Sequence, residues 1–382
     1  MIYLDHAATG PVRREALEAM WPYLTGAFGN PSSSHGLGEQ AAAALEWARE
    51  RVAAATGARP GEVVFTSGGT EADNLALKGP ALAAPRGRHL VVSAIEHEAV
   101  LESARFLERA HGFTLDLVPV DASGLVHPEA LAAVLRPDTT LVSIQLANNE
   151  VGTVQPLAAL AALARERGAV VHSDAVQAAG RLPLDLDALG VDALSLAGHK
   201  VGAPKGVGAL VVRGRVPLEP VLHGGGQERG RRSGTENVAG AVAFATALEL
   251  AEREREEHAA RTDELGRRLV ARVLAEIPES RLTGHPTERL ASTASFLFPG
   301  ASGEAVLLEL ERDGVISSSG SACAVGRTEP SHVLTAMGVP AELAGTAVRF
   351  TLGAATTAEE IETTVLAASR AVAAVRRLGH RD

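Results

Sequence analysis

Lysine is nearly missing from this chain: of its 36 basic residues, only Lys78, Lys200 and Lys205 are not arginine. A sequence that meets its need for positive charge with guanidinium keeps an amine where arginine cannot replace it, because an amine can shed its proton and condense with a carbonyl. Lys200, in the run SLAGHK, is therefore the candidate for an imine to a carbonyl-bearing cofactor. Cysteine is rarer still. A single residue, Cys323, excludes an intrachain disulfide and any metal site built from several thiolates, and leaves either a small buried side chain or a reactive thiol. No stretch of about 18 uncharged apolar residues occurs, so no membrane span is expected. The opening MIYLDHAATGP lacks a basic region followed by an apolar stretch and a cleavage site, which points to the cytoplasm. Nor is there an excess of positive charge. With a formal net charge of −10, nucleic acid is not expected as a direct partner, and the cluster Arg229, Arg231 and Arg232 is too local to reverse that.

What is present suits a sizeable enzyme. A chain of 382 residues with 46% apolar content can bury one large core and a second, smaller one. Strand-like runs at 62–66, 89–94, 114–120, 140–146, 169–174, 192–197 and 207–213 are separated, for the first six, by helix-patterned stretches. That order predicts a mostly parallel sheet covered on both faces by helices. Only a short Gly/Pro loop separates the last two runs, which suits an antiparallel final strand. A charged helical segment at about 237–275 leads into a second unit. The expected division is a large domain at 15–256 and a small domain of 257–382 joined by residues 1–14.

Three motifs carry chemistry. Ser67-Gly68-Gly69-Thr70 follows a strand and precedes a helix expected to begin near Glu71, so free backbone N–H groups and the positive end of the helix dipole suit a phosphate, with the Thr70 hydroxyl as a further donor. In HSDAVQ, Asp174 ends a parallel strand on the edge where open α/β sheets bind ligands, and can pair with a protonated ring nitrogen. Gln177, three residues on, reaches a neighbouring ring oxygen. Lys200 follows the next strand to the same edge. A phosphate cradle, a ring-nitrogen carboxylate and an imine lysine are the groups that hold pyridoxal 5'-phosphate.

These motifs, with YLDHAATGPV, NPSSSHGLG, EHEAV, NNEVGTVQP, GHKVGAPKGVGAL, HGGGQERGRRSGTEN, SSSGSAC and RFTLG, resemble the cysteine desulfurases of the NifS/IscS type along nearly the whole chain. The resemblance implies an α/β, fold-type-I pyridoxal-phosphate transferase: a mostly parallel central sheet plus a smaller α+β C-terminal domain. It implies conversion of L-cysteine to L-alanine with a persulfide formed on Cys323, carried on a polar, glycine-bearing segment, and sulfur delivered to an acceptor or iron-sulfur scaffold protein. Lys200 would form the imine, and His97 would stack on the ring and carry protons. Gly69, Thr70 and His199 would hold the phosphate, Asp174 and Gln177 the ring, Asn149 the cofactor–substrate edge, and Arg349 the substrate carboxylate. Thr235 would reach the phosphate of a neighbouring subunit, implying a homodimer, and no metal is called for. Ala197 departs from the pattern, since a serine that donates to the phosphate is common there. Two other readings stay open: an aminotransferase or lyase in which Cys323 is incidental, and a non-catalytic sulfur carrier.

Overall fold

A short loop decides the direction of one strand in an otherwise parallel sheet. In the computed structural model, which describes residues 1–319 and 330–379, β1 (Ile2–Tyr3) is followed by β2 (Val63–Thr66), β3 (His89–Ser93), β4 (Thr114–Val118), β5 (Thr139–Ser143), β6 (Val170–Asp174), β7 (Ala193–Ala197) and β8 (Gly208–Val212). Strands β2 to β8 form one sheet in the order β2-β8-β7-β6-β5-β3-β4. Only β8 runs against its neighbours. Reversal is forced by length, because the connection from β7 holds no crossover helix and a parallel return needs a dozen residues or more.

Alternation along each strand feeds two cores. Val91, Val142, Leu194 and Val211 face one layer of helices, which includes Gly36–Thr56 and Val238–Arg253. Leu90, Val92, Leu141 and Leu210 face the other, built on Gly69–Ala83 and Glu98–His111. Because successive side chains point to opposite faces, every second residue belongs to the other core, and strands buried on both faces read as continuous apolar runs. This produces the all-buried β3, β5, β7 and β8.

Two sequence expectations shift. The run 140–146 leaves its pairing with β3 after Ser143, where Gln145 N donates to Glu96 Oε1 at 2.7 Å, while Ile144 N and Leu146 N still donate to His172 O and Asp174 O of β6. The helical segment at 237–275 is two helices, Val238–Arg253 and Arg255–Glu276. No glycine or proline marks the break. It falls where the packing partner changes, since Phe244 and Leu248 belong to the core of the large sheet whereas Leu265, Leu269 and Val273 belong to another.

That other core surrounds β9 (Arg281–Leu282), β10 (Thr293–Leu297), β11 (Val315–Ile316) and β12 (Ala347–Thr351). Strands β12-β10-β9 form an antiparallel sheet, and β1 pairs with β11 in parallel. Phe296, Phe298 and Phe350 pack there with Ile361 and Val365 of the helix Ala358–Gly379, and Leu4 joins them from the start of the chain. Among the described residues no helix is long and apolar enough to cross a membrane.

Candidate active site

The carboxyl ends of β2, β6 and β7 converge on a pocket of about 360 Å³, which also takes residues from the loops after β3 and β5, from the N-terminal segment and from β12. It gathers Gly69, Thr70, His97, Asn149, Asp174, Gln177, His199, Lys200 and Arg349, nine of the expected site residues. Thr235 is exposed and does not line it. Cys323 lies outside the described residues.

Gly69 and Thr70 open the helix Gly69–Ala83, two residues earlier than the sequence suggested. Glu71 accounts for the difference: its carboxylate accepts from Ser67 N at 2.8 Å, and Arg232 Nε donates to it at 2.8 Å, so the turn before the helix is held closed. A Cβ on Gly69 would stand 2.8 Å from Val176 Cγ2 and 3.4 Å from Ala197 Cβ, so a side chain here would crowd the wall of the pocket.

Asp174 sits at the end of β6, accepting from Val176 N at 2.8 Å. Burial raises its pKa, while His97 and Lys200 oppose the rise. Beside it lies Asp73, one helical turn beyond Thr70, whose Oδ1 has no hydrogen-bond partner among the described residues. Burial and then the charge of Asp174 push Asp73 well above the carboxylate range. The side-chain ends of Asp73, His97 and Asp174 lie within 4.8 Å of one another. Two carboxyl groups this close and this buried oppose each other's ionisation.

His97 caps the helix Glu98–His111, its Nδ1 accepting from Ala99 N at 3.1 Å. With that nitrogen accepting, a neutral His97 carries its proton on Nε2. His199 Nδ1 lies 3.2 Å from Thr9 Oγ1, and burial, helped by Lys200 and Lys205, lowers its pKa to about 4. It is a neutral hydrogen-bonding group. Gln177 Nε2 donates to Ala7 O at 2.9 Å, while Lys200 Nζ donates to Ala8 O at 2.7 Å and also to Ala7 O. Arg349 donates to Asp5 Oδ1 at 2.7 Å and to Asn149 O at 2.8 Å.

Sequence reasoning missed Asp73, Gln145 and the carbonyls of Ala7 and Ala8. Asp73 was within reach, because a residue three beyond Thr70 lies on the same helix face. The two alanines offer no chemical signal; only the path of the chain brings their carbonyls to Lys200.

A family model described as aminotransferase class-V matches residues 2–364. The chain is 46% identical over 378 residues to a cysteine desulfurase IscS of Dictyoglomus turgidum, spanning 99% of this chain and 96% of that protein. It is 48% identical over 362 residues to a cysteine desulfurase of Cereibacter sphaeroides, spanning 94% and 93%. Among solved structures it is similar to a NifS-like protein, at 38% identity and a TM-score of 0.90 over 97% of this chain and 98% of that one. It is also similar to SspA in complex with cysteine, at 36% identity and a TM-score of 0.80 over 92% and 99%.

Proposed function

Because the chain belongs to the class-V aminotransferase family, we propose that its pocket binds pyridoxal 5'-phosphate and that the protein works as a cysteine desulfurase, converting L-cysteine to L-alanine and supplying the sulfur for iron-sulfur cluster assembly or other sulfur-containing products. The observation that carries this reading is the convergence of Lys200, Asp174 and Arg349 on one cavity. An amine, a buried acid at the end of β6, and a helix N-terminus kept open by Gly69 match an aldehyde, a protonated ring nitrogen and a phosphate.

When bound, the cofactor supplies a carbonyl for an amine and a protonated ring that draws electrons from the substrate Cα. Asp174 keeps the ring nitrogen protonated. Gln177 lies against the ring hydroxyl, and Asn149 lines the cofactor–substrate edge. Gly69, Thr70 and His199 hold the phosphate through N–H and O–H donors, and Ala197 leaves one such donor out. Lys200 would hold the aldehyde through its Nζ and, as a free amine beside the carbonyls of Ala7 and Ala8, would hold a transferable proton there. His97 stacks on the ring and holds a second transferable proton on Nε2. Arg349, fixed by Asp5, receives the substrate carboxylate.

The thiolate of Cys323 would form an S–S bond to the substrate sulfur as the Cβ–S bond breaks, the electron pair of that bond and a proton ending on the methyl carbon of alanine, which leaves a persulfide on Cys323. Of the described residues that flank Cys323 in the chain, two are tied to residues at or next to the pocket lining. Ser318 O accepts from Arg349 N at 2.6 Å, and Ser331 Oγ donates to Glu150 Oε2 at 2.5 Å. A homodimer fits the exposed Thr235, which would serve a neighbouring site, and the exposed apolar residues Leu17, Trp21, Leu24 and Phe28. A lone thiol fits the reducing cytoplasm. The sulfur goes on to an acceptor or iron-sulfur scaffold protein.

Mass spectrometry after L-cysteine treatment tests the reading. One added sulfur on Cys323 with release of alanine is expected. Cys323→Ala should bind the cofactor and form no persulfide. Transfer of the amino group to a 2-oxo acid with no sulfur released would instead make the protein an aminotransferase.

A further inference from the structure

A second cavity, of about 320 Å³, adjoins the pocket: Lys200 lines both, and the N-terminal segment gives Ala7 and Ala8 to the first and His6 and Gly10 to the second. Its walls carry Arg13, Arg181 and His258, and Glu254 is the one carboxylate among its lining residues. Glu254 is already engaged, accepting from Arg13 at 2.8 Å. The guanidinium of Arg181 donates to Gln177 O at 2.9 Å, and among the described residues no carboxylate lies within ion-pair distance of it. Burial lowers its pKa only to about 10, so it is charged at neutral pH. The two imidazoles record the same field. Burial and then Arg181 lower His6, and burial followed by Arg181 and Arg13 lowers His258 to about 4. Both are neutral and Arg13 is paired with Glu254, so the positive charge facing the cavity is that of Arg181 and of Lys200, whose amine is turned to the carbonyls of Ala7 and Ala8.

A guanidinium has five N–H donors, and Arg181, half-buried in the cavity wall, engages one carbonyl among the described residues and leaves the rest of its fork to the cavity. The group that satisfies such a fork best is a carboxylate, taken in two parallel hydrogen bonds. The volume lies at the lower end of the range for small-molecule sites. We infer that this cavity is a second ligand site, built to hold a small carboxylate against Arg181. Nothing in it resembles a second catalytic centre; its chemistry is that of binding.

Malonate is a suitable probe, because it has neither an amine nor an aldehyde or ketone to exchange at an imine. Titrated calorimetrically into the holoenzyme, it should bind saturably. Arg181→Gln should weaken that binding about tenfold or more, the order expected when a bidentate charge pair is lost. Arg13→Gln should weaken it as well, since it frees the charge of Glu254 to repel the ligand. Arg349→Ala should leave it unchanged. Cofactor absorption and the melting temperature check folding, and if Arg181→Gln does not fold, Arg13→Gln decides. Absence of saturable binding, or binding lost with Arg349→Ala and kept in the other variants, would overturn the proposal.

Discussion

Arg349 is 2% exposed, yet it lines the pocket through a guanidinium already shared with Asp5 and the carbonyl of Asn149. Those contacts fix the plane of the fork before any ligand arrives, and that preorganisation lets it meet a carboxylate in one geometry. Lysine keeps the charge and loses the plane. Arg349→Lys is therefore expected to raise the L-cysteine concentration for half-saturation about tenfold, ~1.4 kcal/mol, and to leave the absorption of the bound cofactor unchanged. An unchanged half-saturation in the folded variant would remove Arg349 from the substrate site. The acid pair works by a different rule. Burial and then the charge of Asp174 raise the pKa of Asp73, so the two carboxyl groups oppose each other's ionisation, and in the proposed site Asp174 is the one that would serve the ring nitrogen.

At the scale of elements, the turn from β2 into the helix Gly69–Ala83 shows how a terminus becomes a site. The first N–H groups of a helix lack intrahelical partners, and Glu71 uses its carboxylate on Ser67 N rather than on the helix opening. What keeps the opening accessible is the missing side chain of Gly69. Gly69→Val would press on Val176 and Ala197 and project into the space that a phosphate would take. The expected result is a cofactor dissociation constant raised at least about tenfold, the scale of losing one or two charge-assisted hydrogen bonds, with the melting temperature of the apoprotein little changed. Spectrophotometric titration of apoprotein with pyridoxal phosphate measures it; parental affinity would show that the helix terminus is not the cradle.

At the scale of the molecule, the first ten residues tie the second core to the pocket. Leu4 is fully buried among Phe296, Phe350 and their neighbours, Leu4 O accepts from Thr351 N at 2.7 Å, and three residues on the chain presents its carbonyls to Lys200 and Gln177. Leu4→Ala opens a cavity in that core and should cost about 2–5 kcal/mol in urea unfolding. Because the same N-terminal segment sets the position of Ala7 and Ala8, the folded variant should also bind cofactor more weakly than the parent. Loss of stability with parental cofactor affinity would show that the N-terminal segment holds the small core alone.

Much of this was legible in the residues. Apolar runs, the first six separated by helical stretches, locate β2 to β8, and the short loop before VGALVVR limits β8 to one direction, because strand and loop lengths are local properties. Gly69, Asp174 and Lys200 could be placed on one edge of the sheet, since parallel strands deliver their carboxyl ends to the same side. The strands of the smaller unit escaped notice: β9 and β11 have two residues each, and neither they nor β10 and β12 sit in a repeating pattern with helices. The break at Glu254 escaped too, since local helical pattern runs through it and only the change of core divides it. The sequence by itself determined which side chains could do the chemistry. The tertiary structure alone decided that Asp73 stands beside Asp174, that Arg349 rests on Asp5, and that Arg181 faces a cavity with no carboxylate within ion-pair distance of it among the described residues, because burial and charge pairing join residues far apart in the chain.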